Sequence, residues 1–179
     1  MQVNPDHVGA LMGLGGIAFD GNDYEGAASW YLQALRQNPR YFPARRSLGN
    51  ALLLQGMFDE AVELFRQAVD LEPRNLDAHF YLGKADLQRG LLDDAEKEFE
   101  FVARSDQKRI DAFIELSRLF SLRGEIERAY GSIQRAIALG FSDFDLLRSD
   151  ADFENMMAAS TVRENLARAE QQQAARGSR

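Results

Sequence analysis

Cysteine is absent from the 179 residues, which excludes disulfides, thiolate metal sites and cysteine nucleophiles together. Histidine occurs only as His7 and His79, far apart in the chain, which leaves little for a zinc site or a catalytic triad. A basic surplus is missing too. The 21 Lys plus Arg stand against 28 Asp plus Glu, giving a net charge of -7 and a pI of about 4.9, so the electrostatic footprint of a nucleic-acid binder is not there. No run of 18 apolar residues occurs, and Met1 to His7 holds neither a basic stretch nor a long apolar core, so neither membrane insertion nor export is expected. A cytoplasmic location is expected, although a chain without cysteine also suits a bacterial periplasm. What is present is 45% apolar residues, enough to bury a continuous core and to exclude disorder as the main state.

An internal period organises that apolar content. Leu14, Leu48, Leu82 and Leu116 are each 34 residues apart, and a small residue follows each: Gly15, Gly49, Gly83, Ser117. Ala27, Ala61, Ala95 and Ala129 keep the same step, as do Tyr31, Phe65, Phe99 and Ile133, and then Ala34, Ala68, Val102 and Ala136. Four repeats therefore occupy 8–41, 42–75, 76–109 and 110–143, with 1–7 before them as the remnant of a preceding repeat and 144–179 after them as capping helices and a polar tail.

Each repeat reads as two helices joined by a tight turn, because apolar positions recur at three and four and not at two. Asn22, Gly56, Gly90 and Gly124 stand at the turn, where a residue tolerant of the left-handed region ends a helix. Asp59 and Asp93 are expected as N-caps of second helices. Asn38-Pro39 and Glu72-Pro73 stop second helices, since proline lacks the N–H. Glycine at 15, 49 and 83 lies mid-helix, at a cost of about 1 kcal/mol relative to Ala, which implies close helix contact there. Acidic-capped short helices are expected over 144–158 and a longer helix over 160–175.

Leu48-Gly49, Ala61, Phe65, Ala68 and Pro73 together resemble the tetratricopeptide repeat pattern, and the resemblance extends over 8–143. The chain departs from that pattern where Leu11, Arg45 and His79 replace the aromatic that opens the first helix, with only Phe113 fitting. It departs again where Ala18, Leu52, Asp86 and Phe120 replace the later tyrosine. The resemblance implies an all-α fold, an α-solenoid wound as a right-handed superhelix, with first helices lining a concave groove for a peptide or partner helix. It implies no catalysis and no cofactor.

On that register the groove candidates are Phe19, Arg46, Asn50, Leu53, Phe80, Tyr81, Lys84, Leu87 and Arg118. Aromatic and aliphatic residues alternate there with three cations, which suits a protein or peptide bearing apolar anchors and acidic groups. The competing expectation is that Leu53, Leu54, Leu87 and Leu122 pack between repeats and that the three cations merely solvate the groove or pair with Glu115. The carboxylate clamp of chaperone-binding relatives is not expected: Arg46 and Asn50 match its first pair, but Tyr81, Asp111 and Glu115 occupy the later places. Gly13-Leu14-Gly15-Gly16-Ile17-Ala18 fits a dinucleotide fingerprint yet lies inside a helix, so it reads as packing glycine. The acidic run 93–98 reads as a solvated helix start, and His79 as a packed ring without a partner set. Trp30 is expected in packing between repeats. A protein-interaction scaffold leads. Two alternatives are kept: a self-assembling module that forms a homo-oligomer through the open N-terminal face or helix 160–175, and the targeting portion of a larger enzyme.

Overall fold

The computed structural model describes residues 5–177, and among them helices and turns make up the whole of the fold. Two compact units divide the chain between Glu98 and Phe99. The first holds α1 (Pro5–Asp20), α2 (Tyr24–Gln37), α3 (Phe42–Leu54), α4 (Phe58–Leu71), α5 (Leu76–Arg89) and the beginning of α6 (Leu92–Ser105). The second holds the remainder of α6, then α7 (Ile110–Leu122), α8 (Ile126–Ala138), α9 (Phe144–Ser149), a 3-10 turn (Ala151–Phe153), α10 (Glu154–Ala158) and α11 (Ser160–Gly177). Helices adjacent in sequence pack on one another, α1 on α2 through α4 on α5 in the first unit and α7 on α8 in the second. Residues 1 to 4, part of the expected repeat remnant, lie outside the described residues.

The 34-residue step governs where helices begin. First helices start at Phe42, Leu76, Ile110 and Phe144, and second helices at Tyr24, Phe58, Leu92, Ile126 and Ser160. The step thus runs past 143: residues 144–177 form a fifth helix pair. Its first helix is broken at Asp150, which adopts extended backbone and accepts a hydrogen bond from the Asp152 amide at 3.0 Å. Ser121 holds the broken helix to α7, accepting from Met156 N at 3.2 Å through its hydroxyl and from Asn155 Nδ2 at 2.9 Å through its carbonyl.

The turns are as expected, with Asn22, Gly56, Gly90 and Gly124 at φ of 62°, 75°, 84° and 72°. The caps are not. Asp59 and Asp93 lie within the first turns of α4 and α6, where they offset the helix dipole, and Asp59 pairs with Arg89 at 2.5 Å. Capping falls instead to Asp23 on Gly26 N, Asn75 on Asp77 N and Ala78 N, and Asp143 on Leu146 N. Two mid-helix glycines admit a neighbouring ring: a Cβ at Gly15 would overlap Tyr31, and one at Gly49 would overlap Phe65. Trp30 packs against Val8, Leu11, Ala34 and Ala44, joining α1, α2 and α3.

Candidate functional site

Rings and cations converge where α3 meets α5. Tyr81 stacks on Phe65 with centroids 5.6 Å apart, meets Phe80 edge-on at 5.5 Å and lies 6.5 Å from Phe42. The Arg46 guanidinium sits 5.8 Å from the Tyr81 ring, and Lys84 Nζ sits 6.0 Å from the Phe80 ring. Neither cation faces a carboxylate among the described residues, so each is held by the quadrupole of a ring, an attraction of about 0.5–1 kcal/mol at exposed sites. Asn50 lies half-buried one helical turn beyond Arg46. Arg46, Asn50, Tyr81 and Lys84 therefore form one accessible polar and aromatic face.

The other sequence candidates sit elsewhere. Phe80 and Leu87 are only 6% and 8% exposed, so they belong to the core and offer a ligand little surface. Leu53 packs half-buried against the cluster of Ala61, Val62, Phe65, Leu82 and Ala85. Phe19 leans on Ala27, Tyr31 and Leu48 and meets the Tyr24 ring edge-on at 5.3 Å. In the second unit, Arg118 is not a free cation. Asp150 at 2.5 Å and Glu115 and Asp152 at 3.0 Å enclose it, with the Phe153 ring at 5.1 Å, so its charge fastens the broken helix to α7.

Buried polar groups are the part sequence reasoning missed. His79 has partners after all: Nδ1 lies 2.5 Å from Glu98 and Nε2 lies 3.1 Å from the Pro73 carbonyl. One repeat earlier, Arg45 donates to the Pro39 carbonyl at 2.5 Å. Both residues replace the opening aromatic, and both tie the first helix to the turn before it, a signal readable in hindsight from two polar residues one period apart. Asp86 is 1% exposed, and its Oδ1 has no hydrogen-bond partner among the described residues. Burial, then the nearby Asp94, pushes its carboxyl up to about 6 from an ordinary 3.8, against the opposing pull of Arg66. Among the described residues no group of three or more His, Cys, Asp or Glu is placed to hold a metal ion. The glycine-rich segment 13–18 is wholly inside α1 and makes no phosphate loop.

Comparison with known proteins places these observations. The family model described as "Tetratricopeptide repeat" matches residues 52–114, and "TPR repeat" matches 15–56. Comparison with curated protein sequences gives no match. A crystal structure of MamA protein is similar with TM-score 0.72 at 18% identity, over 96% of this chain and 96% of that one. TTC0263, a thermophilic TPR protein of Thermus thermophilus, has TM-score 0.69 at 20% identity over 90% and 98%. The first TPR of Spaghetti (RPAP3), bound to the HSP90 peptide SRMEEVD, has TM-score 0.60 at 21% identity over 66% and 94%.

Proposed function

Because the chain belongs to the tetratricopeptide repeat family, we propose that it is a non-enzymatic scaffold whose α3–α5 face receives an extended or helical segment carrying acidic and apolar side chains. The observation that carries this reading is the pair Arg46 and Lys84, each resting on an aromatic ring and, among the described residues, facing no carboxylate. A cation so placed is partly desolvated and oriented before a ligand arrives, which lowers the ordering cost of an ion pair. The RPAP3 domain supports the general mode, since its bound peptide is acidic. The manner of holding would differ here, because Tyr81 occupies a clamp place and supplies a ring instead of an amide.

Peptides selected on the chain from a random display library should be enriched in Asp or Glu beside apolar residues and should bind with a dissociation constant on the order of micromolar. Fluorescence anisotropy with Arg46→Glu/Lys84→Glu should show at least a tenfold loss. Selected peptides without acidic enrichment, or unchanged affinity in the folded double variant, would overturn the reading.

A further inference from the structure

The repeat register exposes on α1 a stripe that α3, α5 and α7 bury. Ala44, Leu48 and Ala51 are 0%, 3% and 0% exposed; Ala78, Leu82 and Ala85 are 0%, 4% and 0%; Ala112, Leu116 and Leu119 are 0%, 6% and 0%. Their counterparts one period earlier are Ala10, Leu14 and Ile17. Ala10 is exposed, Leu14 is 44% exposed and Ile17 is 72% exposed. Between Val8 and Phe19 no residue is charged, and nothing lies within 4 Å of a Cβ built at Gly13.

The chain itself shows what covers such a stripe. On α3, Leu48 and Ala51 lie under Ala27, Ala28 and Tyr31 of α2. On α5, Leu82 and Ala85 lie under Ala61, Val62 and Phe65 of α4. Each covering helix therefore presents two small or branched residues, an aromatic three further on and Ala34 or Ala68 after that. The α1 stripe continues this interface by one step in the N-terminal direction.

We infer that α1 is a docking surface for an amphipathic helix of a partner polypeptide that carries this small–small–x–x–aromatic–x–x–Ala stripe. Among the described residues, the second helices of another copy have no such stripe free to offer. The stripes of α2, α4, α6 and α8 are already buried, as Ala27, Tyr31, Ala61, Phe65, Ala95, Phe99, Ala129 and Ile133 are all 4% exposed or less. The outward residues of α11, among them Arg163, Glu164 and Arg168, are charged. This surface is distinct from the Arg46–Lys84 face and does not depend on it.

The probe is a fluorescent peptide with the sequence of residues 24–38, in which Glu25 balances Arg36, held helical by a hydrocarbon staple on its polar side because helices this short are marginal in water. Anisotropy titration against the full chain should give saturable binding. Ile17→Glu should weaken it at least tenfold, replacing Tyr31 by Ala in the peptide should do the same, and Arg46→Glu/Lys84→Glu should leave it unchanged, because this peptide has no acidic surplus for the other face to hold. Ile17 is exposed, so its variant should keep the wild-type circular dichroism and melting temperature; Leu14→Gln is the second variant. Absence of saturable binding, binding indifferent to both α1 variants, or binding lost in the Arg46/Lys84 variant would overturn the inference. So would sedimentation showing a dimer that Ile17→Glu dissociates, since the face would then belong to a second copy.

Discussion

Asp86 stands where the repeat pattern calls for an aromatic, and the fold seals it at 1% exposure with one carboxylate oxygen unpartnered among the described residues. Its native pKa of about 6 exceeds the ordinary 3.8, so the folded chain binds more protons than the unfolded one in between. Stability falls as pH rises through that window, and the full penalty persists above it. Two pK units correspond to about 3 kcal/mol, so Asp86→Asn should raise stability by up to about that much at pH 7.5 and by little below pH 4. Urea unfolding at both pH values checks the sign. Glycines give a second test of packing at single positions. Gly49→Ala should cost about 1–3 kcal/mol because its Cβ would overlap the Phe65 ring, whereas Gly13→Ala, in open space, should gain up to about 1 kcal/mol from helix propensity; thermal melts separate the two.

At the scale of the element, Arg118 is the fastening of the broken fifth pair. Arg118→Ala would leave Glu115, Asp150 and Asp152 facing one another at the foot of α7, a loss of about 3 kcal/mol for a largely buried ion-pair group. Amide exchange should show lost protection over 144–158 with α1 to α4 unaffected. Turn and packing positions were legible in the sequence because one residue type does one physical job there: φ above zero at Gly56, Gly90 and Gly124, or a ring seated on Gly49. The accessible site was legible only in part. Register places Arg46, Asn50, Tyr81 and Lys84 on first helices, but it does not tell that Phe80 and Leu87 are core, because burial depends on what packs above a residue and not on its spacing. Caps were misplaced since an acidic residue serves the first turn of a helix as well as its cap. The period is faint in the sequence past 143, because Arg163 and Glu170 fill places held by Ala129 and Ala136 one period before.

For the whole molecule, the common interval between helix starts means that a cut of residues 42–75 joins Tyr41 to Leu76 in phase, first helix following second as before. Such a shortened chain should stay helical by circular dichroism and melt cooperatively, while a cut of 42–71, out of phase, should aggregate. Length in this architecture is consequently quantised: surviving insertions and deletions arrive as complete cassettes, and a variant's viability can be sorted by division before any side chain is considered.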